Sequence, residues 1–109
     1  MTITSSDIEL VQTTDGDPTE LTNKWGEKRT VRLNREWQVR FPDGTVIGRI
    51  RYRMFTRERR SRGLRYVHAR WHSPGWGYTT TDGSYELEAR SRKDAVERIL
   101  RSHEQHQVQ

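Results

Sequence analysis

The chain contains no cysteine, which excludes a disulfide framework and thiolate chemistry and fits a reducing compartment. No apolar run approaches the roughly 18 residues of a membrane-spanning helix, and the start, MTITSSDIEL, has neither the basic opening nor the apolar core of a signal peptide. A cytoplasmic protein without membrane association is therefore expected. Apolar residues are scarce as well, with a hydrophobic fraction of 30% and a mean hydropathy of −1.09. For one domain of 109 residues these values are low, so part of the chain is expected to be disordered.

What the chain has in abundance is arginine. Seventeen Arg and three Lys stand against fifteen acids, for a net charge of +5 and a pI near 10.1. That balance favours polyanions or acidic proteins as partners. It is uneven along the chain. Residues 1–34 hold six acids and four bases, whereas the remainder holds sixteen bases and nine acids. An acidic, partly disordered segment over residues 1–30 ahead of a basic domain over 31–103 follows from this asymmetry.

Within the acidic segment, Asp17-Pro18-Thr19-Glu20 combines an N-cap acid, a proline at the first helical position and a carboxylate three residues after the cap. With Gly26 as a stop, the pattern predicts a short helix over 18–25 that brings Leu21 and Trp25 together. The pair either pins the segment to the domain or docks on another protein. From Val31 to Phe41 the odd positions Val31, Leu33, Trp37, Val39 and Phe41 are apolar, interrupted by Arg35, which predicts a half-buried strand bent near Asn34 or Arg35. Pro42-Asp43-Gly44 supplies a hairpin turn. The next strand alternates Val46, Gly48, Ile50, Tyr52 and Met54 on a core face with Arg49, Arg51 and Arg53 on a cationic face.

Thr56–Gly63 reads as a flexible cationic loop, and Leu64–His72 as a third strand with Tyr66, His68 and Arg70 on the cationic face. Residues 73–84 are rich in turn formers, and Tyr85–Arg90 suits a short last strand with Tyr85, Leu87 and Ala89 inward. Ser91-Arg92-Lys93-Asp94 is a capping box before Ala95, Val96, Ile99 and Leu100 at helical spacing. A frayed tail is expected over 104–109. The fold class is therefore α+β, a three- or four-stranded antiparallel sheet backed on its apolar face by one C-terminal helix.

The cationic face presents Gln38, Arg40, Arg49, Arg51, Arg53, Tyr66, His68 and Arg70, with Arg57, Arg59, Arg60 and Arg62 on the loop. Arginine pairs with guanine edges and phosphates and glutamine reads adenine, so these residue types suit duplex DNA. A bland alternative has the arginines paired with Glu36, Glu86 and Glu88. Nine arginines against one acid within residues 49–70 argue against self-pairing. A second alternative is a protein-interaction module that holds an acidic partner through Trp25 or Trp76.

No enzyme is expected, and no cofactor. There is no phosphate-binding glycine loop, nucleophile elbow or zinc signature, and His68 and His72, four apart on one strand, stand about 13 Å from each other at the usual rise. His103 and His106 sit in the polar tail without further ligands.

Trp37, Val39 and Arg40 on the first strand, and Ser91, Arg92, Lys93 and Ala95 opening the helix, resemble two groups of three-stranded-sheet-plus-helix DNA-binding domains. One is that of plant ethylene-response factors, the other the arm-site-binding region of tyrosine recombinases. The likeness spans Arg35 to Ser102 and implies DNA contact by Arg40, Arg49, Arg51 and Arg53. The overall style also resembles small accessory proteins of actinobacteria and their phages.

Overall fold

The computed structural model describes residues 8–60, 67–81, 83 and 85–107. They form one antiparallel sheet in simple meander order with a single helix: β1 (Glu9–Thr22), β2 (Lys28–Arg40), β3 (Val46–Arg60), β4 (Val67–Thr80), β5 (Leu87–Ala89) and α1 (Arg92–Gln107). The class is α+β, with five strands where three or four were expected. No described helix is long and apolar enough to cross a membrane.

The additional strand is β1. From Glu9 the acidic segment is extended and pairs with β2 along its length, Leu10 opposite Val39 and Thr22 opposite Lys28, so no helix forms over 18–25. A two-turn helix is marginal alone, whereas a tight turn delivers β1 directly onto β2. Asn23 makes that turn. Its Oδ1 accepts the amides of Trp25 and Glu27, each at 2.9 Å, and Gly26 takes φ +80°. Pro18 is tolerated because β1 is an edge strand.

The bend expected near Asn34 is present, with Asn34 at φ 63°, Gly16 at φ 80° in the strand across from it, and a bulge further along between Gln12 and Thr14, opposite Trp37 and Glu36. Pro42-Asp43-Gly44 turns as expected. Gly44 N donates to Phe41 O at 2.9 Å, and Asp43 Oδ1 accepts Thr45 N at 2.8 Å. A second bulge between Val39 and Arg40 moves the inward role from Val46 to Ile47, which is 2% exposed.

The ladders have unequal reach. β2 pairs with β3 only from Arg35–Tyr52 to Arg40–Val46, while β1–β2 and β3–β4 run on well past that seam. Two hairpin arms therefore leave the same end of the sheet, Thr14–Arg35 and Arg53–His72. Thr56–Arg60, expected as loop, is strand in the second arm. The first part of the turn-rich stretch is strand too, because Ser73–Thr80 continues β4 from the arm into the sheet, opposite Gly48–Phe55. The described residues form a slab of 49 × 37 × 19 Å.

The core lies between the seam and α1: Trp37, Val39, Ile47, Ile50 and Tyr78 from the sheet, with Ala89, Ala95, Val96, Ile99 and Leu100. Ile50, Ile99 and Val39 are fully buried, each stabilising by about 2 kcal/mol through apolar transfer. Gly48 lets the helix approach, since a Cβ there would stand 2.8 Å from Ile99 Cγ2 and from Thr79 O. The capping box is formed. Ser91 Oγ accepts Asp94 N at 3.0 Å, and Asp94 Oδ2 accepts Arg90 N at 3.0 Å. Tyr85 and Leu87 are exposed and only Ala89 of that strand is buried, because β5 sits at the sheet margin. The helix runs on to Gln107 instead of fraying at 104, with the His103 ring edge-on to Phe41 at 5.2 Å.

Candidate nucleic-acid interface

Side-chain alternation places Gln38 on β2 and Arg49, Arg51, Arg53, Phe55 and Arg57 on β3 on the face opposite α1. Arginines on alternate residues of one strand repel one another unless anions intervene. The fold brings anions from both sides. Glu36 of β2 lies 3.9 Å from Arg49. Glu86 and Glu88, flanking Leu87 at the sheet margin, reach across β4 to Arg53 and Arg57.

That reach depends on two glycines. Gly75 and Gly77 of β4 point to the same face, and a Cβ on Gly75 would stand 2.5 Å from Glu88 Oε2 and 2.9 Å from the Phe55 ring. One on Gly77 would collide with the Glu86 carboxylate. Through this trough Arg57 donates both terminal nitrogens to the two oxygens of Glu88, and its Nε donates to Ser73 Oγ at 2.9 Å. Arg53 donates Nε to Glu86 and a terminal nitrogen to Met54 O at 2.9 Å, with its guanidinium 3.9 Å from the Phe55 centroid. The paired hydrogen bonds from Arg57 hold the Glu88 carboxyl below its ordinary range.

The argument that one local acid cannot balance nine arginines therefore fails. The counterions come from strands distant in sequence, and the acids are the three that self-pairing requires. Arg51 differs. It is exposed, and among the described residues it has no acidic partner within 4 Å, since Glu36 across the ladder turns to Arg49. Arg59 is likewise exposed on the arm, opposite Ala69. Arg40 ends β2 beyond the bulge, half-buried, with Nε sealed and unpartnered.

Arg70 is not on this face. Register sets it opposite Glu58, which it meets at 3.0 Å, on the helix side of the ribbon, and Trp71 takes the outward place opposite Arg57 at 47% exposure. The strand starts one residue out of phase with the alternation read from Leu64, which reverses its faces. Arg60 closes β3, and His68 lies in β4. Arg62 and Tyr66 lie outside the described residues, as do the side chains of Arg60 and His68.

The two candidate tryptophan anchors separate. Trp25 is 73% exposed at the tip of the β1–β2 arm, with the Lys24 ammonium 4.5 Å over its ring. Trp76 is not an exposed platform. It is half-buried and packs against the core, 5.5 Å from Trp37 and 4.6 Å from Tyr52 between ring centroids. His72 Nδ1 lies 3.2 Å from Thr56 Oγ1. Sequence reading passed over Trp71, which the phase error hid, and Arg35, whose only signal was its intrusion into an apolar row.

Against this geometry, no family model, curated protein or solved structure matches the chain.

Proposed function

We propose that this chain binds duplex DNA by laying the arginine-rich β3–β4 arm in the major groove, with the outer face of the sheet beside it touching the backbone. The observation that carries the reading is the arm itself. It is a two-stranded ribbon unpaired with β2 beyond Tyr52, on which Arg59 is exposed with no acidic partner among the described residues. Its sequence adds Arg60, Arg62 and Arg65 to Arg57 and Arg70, whose partners are Glu88 and Glu58. A two-stranded ribbon is of a width that a B-form major groove admits. Arg51 and Arg59 lack acidic partners among the described residues and are first contacts for phosphate or guanine. Arg53 and Arg57 become available when a phosphate displaces Glu86 or Glu88. The resemblance at Trp37, Val39, Arg40 and Ser91–Ala95 supports the same direction.

The test is fluorescence anisotropy of labelled duplex DNA, duplex RNA and single-stranded DNA over a series of salt concentrations. Five phosphate contacts give a log–log salt slope of about −4.5. An Arg51→Ala/Arg59→Ala/Arg62→Ala variant should fold normally and lose about 2.7 of that slope, at about 0.9 per contact. Duplex RNA should bind less well, because its major groove is too narrow for a ribbon. Absence of DNA binding near physiological salt overturns the reading.

A second reading rests on Trp25. An exposed tryptophan with an ammonium over its ring, held at a hairpin tip, is an anchor of the kind that protein interfaces use. In that case the partner is an acidic protein, and Trp25→Ala abolishes its capture while changing the salt dependence little.

A further inference from the structure

On the helix side of the sheet, away from the outward arginines, a cleft of about 670 Å³ opens between β1, the seam and the first turn of α1. Ile8, Leu10, Trp76 and Val96 give it apolar walls, and its ionisable lining residues are Arg35, Arg92 and Lys93. Among the described residues, none of those lining it is acidic. Elsewhere cations are interleaved with carboxylates, as in Lys28–Glu20, Arg32–Asp15 and Arg98–Asp94. Here three cations converge without one.

Aromatic rings hold two of these cations, Arg35 and Arg92, in place. The Arg35 guanidinium stands 5.2 Å from the Trp37 centroid and 5.3 Å from that of Tyr52, and the Arg92 guanidinium stands 5.4 Å from Trp37. Contact with ring faces orients a guanidinium without neutralising it. Arg35 Nε is sealed from solvent and has no hydrogen-bond partner, so it is through other atoms that Arg35 lines the cleft. The charge comes from these side chains and not from the helix end, whose first turn is already capped by Ser91 and Asp94.

We propose that this cleft binds an organic carboxylate that carries an apolar body. Arg35 and Arg92 take the carboxylate, whose planar pair of oxygens matches a guanidinium fork. Lys93 adds a point charge at the rim, and the apolar body lies against Trp76, Leu10 and Val96. The volume is in the range of small-ligand sites, and the mixture of apolar wall and few convergent polar groups is what such sites use. The proposal stands apart from DNA binding, since the cleft and the outward arginines lie on opposite faces.

The carboxylate can belong to a free small acid or to a peptide, and an amide-resolved NMR titration of the full chain separates the two. The probes are phenylacetate, N-acetyl-Leu-Asp-Leu-amide, neutral phenylacetamide and inorganic phosphate. Phenylacetate or the peptide should shift amides at Ile8, Leu10, Arg35, Trp76, Arg92 and Val96, saturating with a dissociation constant on the order of 1–10 mM for so small a fragment. Arg92→Ala/Lys93→Ala should weaken binding about tenfold through the lost charge-assisted bonds, and Arg101→Ala, at an exposed site two turns further along the helix, should leave it intact. Binding by the free acid alone assigns a small-molecule ligand, and binding by the peptide assigns a protein segment. Equal shifts from phenylacetamide, saturation by phosphate alone, or no response at these residues from either acid overturns the proposal.

Discussion

Replacing Glu86 and Glu88 by glutamine removes two anions from the trough and leaves the backbone of β5 untouched. In the wild type both carboxylates hold Arg53 and Arg57, and on the proposed reading phosphate competes with them. Freeing two guanidinia adds up to two phosphate contacts where the wild-type complex keeps these pairs, steepening the log–log salt slope for duplex DNA by up to about 1.8, and raises affinity at unchanged slope where phosphate already displaces them. The stability cost is bounded by exposure. The side chains are 31% and 15% exposed in the Arg53–Glu86 pair and 29% and 35% in the Arg57–Glu88 pair, so solvent screens both. Screened pairs contribute about 0.2–1 kcal/mol each, which limits the loss to about 2 kcal/mol. Thermal denaturation followed by circular dichroism should therefore show a folded variant with a midpoint lowered by no more than about 15 °C. The same preparation is titrated with labelled duplex over a salt series. A folded variant with both slope and affinity unchanged refutes the idea that these arginines exchange a carboxylate for a phosphate, and leaves Arg51 and Arg59 as the contacts.

Other expectations concern the scaffold. Gly48→Ala places a methyl group against Ile99 and Thr79 O and should destabilise by about 1–3 kcal/mol through overpacking, read by chemical denaturation. Ser91→Ala removes the acceptor for Asp94 N and should cost about 1 kcal/mol in the same assay. Glu88 and Asp94 both have carboxyls held below their ordinary range, Glu88 by the hydrogen bonds from Arg57 and Asp94 chiefly by the amide of Arg90. A lowered folded-state pKa adds stability that is complete above the ordinary carboxylate range and disappears as pH falls through the folded value. Acid titration of unfolding should thus be shallower in Glu88→Gln and in Asp94→Asn than in the wild type, with the curves converging at low pH.

How much was legible depended on whether the determining contacts were local. The capping box at Ser91–Asp94, the Pro42–Gly44 turn and the bend at Asn34 are set by residues within a few positions of one another, and all were read correctly. The β1 strand was missed because Asp17-Pro18-Thr19-Glu20 satisfies helix-start chemistry. What decides its conformation is the ladder to β2, which no local pattern encodes. The reversed faces of β4 followed from one residue of phase, the smallest error that inverts a strand. The ion pairs were named as an alternative and set aside on a local charge count. Charge counts over a window omit partners that a sheet supplies laterally.

The unequal reach of the ladders divides the molecule by how readily its amides open to solvent. Trp37, Val39, Ile50 and Tyr78 lie where seam, outer ladders and helix coincide, and their hydrogens should exchange only when the whole sheet opens. Among the described residues the arms beyond Arg35 and Tyr52 have one ladder each, so they open singly, at far lower cost. Ordering one arm around a ligand would therefore appear as new protection confined to that arm, with the seam unchanged.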